Sequence, residues 1–517
     1  MRMISGGVLM RYLKLLLLLP VVALLYYLRT WFHGVLLFLY ATPAVWQMLI
    51  FTLLLHYAVI IRIPAFGRSR SMVVDSSVSS RPGEKGQVSY TLAPIVSATL
   101  YAVLLTIGLI LASWFRGAHI ANDIRYIPRD NLPESAVDIR LMPYGVAYRY
   151  AQDSLQLSQY RLGTENIASI DGRLSWVFPL TPDGLVIRFL RKNKGIVYVD
   201  ATTEMKNTTH VWNDMQIGEG MQIRDNLYWN IHRQRFFVET DDPFYLTDGE
   251  EIYTVVGAIS YSYHFRLGIM YSVPRFAGVF LLNTAGEVRF LEPAEAADEP
   301  ILADNRVFPE KLARRYVDAH QYHLGIRNKL FIHEDQIKIQ DVLGPRANRQ
   351  PYLMSTEEGL KWFLSAEPFG ASHGIFKIFL VDAVSGEIEM YELPTDRTLT
   401  GPVRAVDYVR RSNPVVDWSR FDSVEPLPFV RNGELMWKLV VIPDDAAGIA
   451  YQVFVDAATN DVIELRSEDD VRRFVAGLDV HLEPRDPSGT ASRGDLINLI
   501  RERLLELESL ISELERI

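Results

Sequence analysis

From Pro94 to Phe115 the chain reads PIVSATLYAVLLTIGLILASWF, 22 residues without a charged side chain. At about 1.5 Å rise per residue, a helix of that length matches the roughly 30 Å hydrocarbon core of a bilayer. The stretch predicts a membrane-spanning helix, assigned with its flank to residues 89–115, and it divides the chain between two solvents. Before it lie apolar segments and a short basic loop; after it come about 400 residues patterned like soluble, strand-rich domains.

The opening MRMISGGVLMRYLK and the run LLLLLPVVALLYYL have the basic start and apolar body of a signal peptide, but no small-x-small cleavage site follows. An uncleaved first span is expected, bent at Pro20. The apolar region from Trp31 to Ile61 exceeds one crossing and contains Pro43. It reads as one kinked span or as two half-spans, so residues 1–61 are assigned two transmembrane helices. The loop 62–88 carries Arg62, Arg68, Arg70, Arg81 and Lys85. Positive loops stay inside, which makes this loop cytoplasmic and everything after Arg116 extracytoplasmic.

Net charge is -9, and no long Lys/Arg cluster occurs outside the membrane flanks, so nucleic acid is not an expected partner. Cysteine is absent, which excludes disulfides, thiolate metal sites and cysteine nucleophiles. A cysteine-free outer domain suits a prokaryotic envelope, and the expected location is the plasma membrane of a prokaryote.

Beyond the membrane region a pattern recurs. Trp176-Val-Phe-Pro-Leu precedes Val199-Asp200-Ala-Thr, Trp362-Phe-Leu precedes Val381-Asp382-Ala-Val-Ser-Gly386, and Trp437-Lys-Leu-Val-Val-Ile precedes Val455-Asp456-Ala-Ala-Thr-Asn460. The Trp-to-Asp separations are 24, 20 and 19 residues, and a degenerate copy around Asn283 and Gly286 lacks the Trp. Alternating β-branched and aromatic residues mark strands; Asp or Asn opens a turn, and Gly286, Gly386 or Asn460 takes the positive φ it needs. Helical patterns opened by Pro143, Pro309 and Pro402 precede three of the copies. The fold class expected is membrane-anchored α+β, with tandem helix-plus-antiparallel-sheet modules over 116–210, 211–305, 306–396 and 397–482. Each Trp should bury between its helix and sheet.

These strand motifs resemble the closing strands of PepSY-type domains, Trp-x-Val followed by Val-Asp-Ala-x-Thr-Gly-Glu-Val, most closely in the third and fourth modules. The resemblance implies an extracytoplasmic binding or inhibitory module without catalytic residues.

No P-loop, GxGxxG or GxSxG occurs, and neither catalytic residues nor a cofactor are expected. His320 and His323 have the i,i+3 spacing of a metal pair, but no third ligand is evident in the sequence, so no metal site is assigned. Asp241-Asp242 and Asp444-Asp445 read as turn initiators. The aromatic segment from Tyr253 to Phe276 reads as sheet core, with a contact surface as the alternative.

After a linker over 483–495, residues 496–517 carry a heptad seam, with Ile497, Leu504 and Ile511 at a and Ile500, Leu507 and Leu514 at d. A C-terminal coiled-coil helix and a homo-oligomer built through it are expected. The function expected is non-enzymatic: a scaffold that assembles with itself or with other envelope proteins. The alternatives are a regulator of an extracytoplasmic peptidase or sensor, and, less favoured, an envelope hydrolase.

Overall fold

The structure, a computed structural model, describes residues 19–57, 92–343, 348–370, 374–394, 397–446, 448–478 and 480. The basic loop 62–88, the linker 483–495 and the heptad residues Ile497, Ile500, Leu504, Leu507, Ile511 and Leu514 lie outside the described residues.

The fold is mixed α+β. Two helices are long and apolar enough to cross a membrane, Leu19–Ala41 and Ser97–Asp123, and Ala44–Leu55 is a shorter apolar one. Thr42 and Pro43 separate Leu19–Ala41 from Ala44–Leu55, where proline's missing N–H and fixed φ stop the first helix. The segment before the break is fastened to residues further along the chain: His33 bonds the Phe236 carbonyl at 2.9 Å, and Tyr263 donates to the Tyr40 carbonyl at 2.8 Å. The segment after it runs antiparallel to the helix Leu92–Asp123. Arg116 donates to the Ala41 carbonyl, Met48 fills the space beside Gly108, and His56 bonds Ser97.

At about 1.5 Å per residue the 32-residue helix Leu92–Asp123 is about 48 Å long, longer than a bilayer core. Its turns beyond Phe115 are polar and held by the sheet domain: Arg116 donates to the Ser272 carbonyl at 2.8 Å, and Arg275 pairs with Asp123 at 3.0 Å. The residues that follow form the strand Tyr126–Arg129, parallel to Ile388–Glu392 with Tyr126 opposite Ile388. Pro128 is tolerated there because the strand is an edge.

Four times the chain forms a helix and then an antiparallel sheet whose strands follow in sequential order. In the first unit the helix Tyr144–Ser154 precedes Asn166–Ile170, Arg173–Pro182, Asn193–Asp200 and Thr208–Met215. In the second, Leu227–Gln234 precedes Phe244–Asp248, Glu251–Arg266, Ile269–Leu282 and Val288–Leu291. The third runs Glu310–Ala319, Tyr352–Thr356, Gly359–Pro368, Lys377–Asp382 and Ile388–Glu392. The fourth runs Pro402–Ser412, Phe421–Arg431, Glu434–Pro443, Tyr451–Asp456 and Val462–Leu465.

Side-chain alternation with period two sorts each strand between two cores. Trp176 and Phe178 share one core with Trp362, Phe379 and Val381, so the first and third units meet through their helix-covered faces. The neighbouring residue Val177 turns the other way and packs with Tyr245, Val255 and Leu281 of the second unit. Phe363 and Ile378 of the third unit likewise turn toward Trp437, Leu439 and Val453 of the fourth. The outer face of the fourth sheet, with Phe429 and Phe454, is closed by Val471 and Phe474 of the helix Glu468–Val475. By their faces the sheets stack in the order second, first, third, fourth, while Ile259 of the second unit and Val440 and Ile442 of the fourth also reach the core between the first and third, so each of the outer units touches both inner ones.

Candidate functional site between the first and third units

Trp176, Trp362 and Trp437 are all buried, and each indole N–H has the same kind of partner. They donate to the carbonyls of Met142 at 2.9 Å, Phe308 at 3.1 Å and Thr400 at 2.7 Å. Each acceptor stands two residues before the first helical residue of its unit, outside the helical ladder, where its carbonyl needs a partner. Across the sheet each Trp faces the Val of its Val-Asp-Ala motif: Trp176 opposite Val199, Trp362 opposite Val381, Trp437 opposite Val455. The Ala carbonyls then accept from the helix entries, Ala201 from Met142, Ala383 from Phe308 and Ala457 from Thr400. In the second unit the matching position, opposite Leu282 and one residue before Asn283, is the buried Thr254.

The expected turn chemistry is present. Asp200, Asp382 and Asp456 each accept a main-chain N–H two residues on, and Gly286, Gly386 and Asn460 have positive φ.

The first strand of three units breaks opposite the residues just after the Trp or Thr254 position, and in the fourth it bulges there between Val424 and Leu427. Two acids at these interruptions reach into neighbouring units. Asp241 accepts the Glu310 N–H at 2.8 Å, and Glu425, held at φ +52°, accepts the Tyr144 N–H. Both N–H groups open helices, where a carboxylate satisfies an orphan donor and opposes the helix dipole. Asp241 is thus a helix cap supplied by another unit, not only a turn residue.

Where the first and third units meet lies a cavity of about 80 Å³. Its walls repeat one another: Arg140, Tyr144, Asn166 and Trp176 from the first unit, and Arg306, Glu310, Tyr352 and Trp362 at the matching positions of the third. Arg140 lies over the Trp176 ring at 5.2 Å and Arg306 over Trp362 at 5.8 Å. Behind Arg140 runs a buried chain of charge. Arg140 meets Glu425 at 3.3 Å, and Lys438 donates to the Arg140 carbonyl at 2.7 Å. Gln452 joins the Leu141 carbonyl to Glu204 through bonds of 3.0 and 2.9 Å. Burial pushes the Lys438 ammonium down to about 7 and the Glu425 and Glu204 carboxyls up, while Arg140 beside Glu425 and Lys438 beside Glu204 work against those rises. This arrangement holds charge away from water and orders the junction.

His320 and His323 do come together, their rings stacked 4.3 Å apart, and the fold adds Asp335, whose carboxylate is 3.0 Å from His323 Nε2. Lys377, buried in the strand beside them, also pairs with Asp335. Sequence reading missed Asp335, although it follows His333 within the acidic pair Glu334-Asp335. It also missed Lys438 and Lys377; the available signal was a lysine inside an otherwise apolar strand.

The aromatic segment from Tyr253 to Phe276 is a long hairpin with two characters. Its base, with Val255 and Ile259, is core, while its tip exposes Tyr263, Phe265 and Leu267. The tip rests on Ala44–Leu55, where Gln47 donates to the Gly268 carbonyl and accepts from the Met270 N–H, each at 2.8 Å.

In comparison with known proteins, no family model matches the chain and no curated protein matches it.

Proposed function

We propose that the chain is a non-enzymatic, membrane-anchored scaffold of a prokaryotic cell envelope. In this reading its apolar helices hold it in the plasma membrane with the domains after Arg116 outside, and the four units are tandem binding modules. They assemble with further copies through the helix over 496–517 and with other envelope proteins. The membrane part rests on the two long apolar helices and on the basic loop 62–88. The modular part rests on the shared Trp-to-carbonyl bonds and on the PepSY-type resemblance of the strand motifs.

The observation that carries the reading is apolar surface turned outward while charge is turned inward. Leu185, Val186, Phe189 and Leu190 sit together on the turn ending in the helix Ile187–Leu190 and are 80, 68, 60 and 75% exposed. Such a cluster marks a protein contact more often than idle surface. At the junction Arg140 pairs with Glu425 and Lys438 bonds main chain, and the cavity there, about 80 Å³, is below the roughly 300–1,000 Å³ of ordinary small-molecule sites.

The test is the native mass of the detergent-extracted full-length protein, with every co-purifying chain identified. A homo-oligomer that shrinks when 496–517 is removed, or when Leu185 and Phe189 are changed to Ser, is expected. A stoichiometric foreign peptidase or sensor would turn the reading toward regulation. A monomer with no partner would sink it.

A further inference from the structure

His320 and His323 lie on the turn that follows the helix Glu310–Ala319, and Asp335 lies just before the strand Ile337–Ile339. One donor atom from each falls within 4.8 Å of the other two. The His323 Nδ1 is 2.9 Å from the His320 carbonyl. A carbonyl only accepts, so Nδ1 carries the proton and the Nε2 of the neutral ring presents a lone pair. That lone pair faces an Asp335 carboxylate oxygen at 3.0 Å. Two acceptors so placed repel unless a proton or a cation lies between them. The carbonyl on Nδ1 is also the usual outer partner that orients a metal-bound histidine.

His320 adds an independent observation. It is 3% exposed, and neither ring nitrogen has a hydrogen-bond partner among the described residues. A neutral imidazole has one nitrogen lone pair to give, and among the described residues nothing takes it up. The rings of Tyr126 and Phe379 pack steeply against it, with centroids 4.7 and 5.1 Å away.

We propose that His320, His323 and Asp335 bind one divalent transition-metal ion of the zinc type, with water completing the shell. Two imidazole nitrogens and one carboxylate oxygen suit zinc and its late first-row neighbours better than the oxygen-seeking calcium or magnesium. The stacked rings must splay until each donor stands about 2.0–2.2 Å from the ion. His323, partly open to solvent, is the ring with room to turn. Lys377 is the competitor, since its ammonium also holds Asp335; Glu392, 3.7 Å from Lys377, remains as its counter-charge when the ion takes the carboxylate.

The consequence is local and structural. The ion would staple residue 335 to residues 320–323 and so close the loop that exposes Leu324, Phe331 and Ile332. Tyr322, between the two histidines, packs on Ala118 and Ala121 of the long apolar helix, so the staple would sit where the third unit meets that helix.

The experiment uses full-length protein without a histidine tag, stripped by chelator in detergent and titrated with Zn²⁺ by equilibrium dialysis. One ion per chain is expected, with a rise in melting temperature. Cu²⁺ in the same protein should give an electron-spin spectrum split by two imidazole nitrogens, a readout that needs no variant. His323→Ala and Asp335→Asn should each weaken Zn²⁺ at least tenfold, His264→Ala should leave it unchanged, and Lys377→Met should tighten it. Absence of saturable binding, a copper spectrum with fewer than two nitrogens, or parental affinity in a folded His323→Ala protein would overturn the proposal.

Discussion

The Lys438 ammonium donates to the main-chain carbonyl of Arg140 at 2.7 Å, so the central strand of the fourth unit is tied to the segment that enters the helix of the first. Burial lowers the folded-state pKa of Lys438 from 10.5 to about 7. Between those values the unfolded chain binds more protons than the folded one, so this group makes stability rise with pH across that window. Lys438→Met should flatten the rise. Denaturant midpoints at pH 7 and pH 10 check it, and equal slopes in parent and variant would refute it.

The three indole bonds can be separated from indole packing. Trp437→Phe keeps most of the buried ring but orphans the Thr400 carbonyl, a loss of about 1–3 kcal/mol. Trp437→Ala also opens a cavity, and about 3–5 kcal/mol is expected. The same ranking should hold at Trp176 and Trp362. Phe variants as stable as the parent would mean that the shared hydrogen bond contributes nothing.

Gly386 is constrained twice. Its φ is +78°, and a Cβ there would lie 2.2 Å from the ring of the buried Phe308, whose carbonyl receives the Trp362 indole. Gly386→Ala therefore meets left-handed strain of about 1–2 kcal/mol and a clash of about 1–3 kcal/mol. A melting temperature equal to the parent's would show that neither the left-handed backbone nor the Phe308 ring constrains this position.

If the chain is seated in a membrane as proposed, the tip of the long hairpin touches lipid. Leu267 is 85% exposed at that tip, and its neighbour Arg266 lies over Phe115, the last residue of the uncharged stretch. Because the chain has no cysteine, single cysteines can be placed cleanly. A polarity-sensitive dye on Leu267→Cys in liposomes should shift to the blue and be quenched by lipid-borne quenchers. The same dye on Val415→Cys, 79% exposed in the fourth unit, should report water. Indistinguishable spectra would remove the tip from the bilayer.

Much of the local architecture is legible in the sequence because it is written in short-range chemistry. Pro143, Pro309 and Pro402 stand at helix starts, Asp382 and Asp456 open turns, and the Trp strands pair with the Val-Asp strands. What is illegible is long-range. Nothing near Val177 says that its side of the sheet faces Tyr245, because a strand buried on both faces reads as a continuous apolar run. The helix caps at Tyr144 and Glu310 come from Glu425 and Asp241 in other units, where no capping pattern can be read from the neighbouring residues. The candidate site is divided in the same way. The histidine pair is visible by spacing, whereas Asp335 and Lys377 join it only once the third sheet has formed.

The parallel pairing of Tyr126 with Ile388 has a consequence for biogenesis. At about 5–20 residues per second, the ribosome reaches Ile388 roughly 15–50 s after Tyr126 has been made. During that interval the strand next to the apolar helix has a bare edge, and the Trp176 face of the first unit lacks the third-unit residues that cover it. Maturation cannot proceed strictly from the N-terminal end. An arrested nascent chain ending before the third sheet should expose that edge and that apolar face to holdase chaperones, which would lose their grip once the third sheet docks.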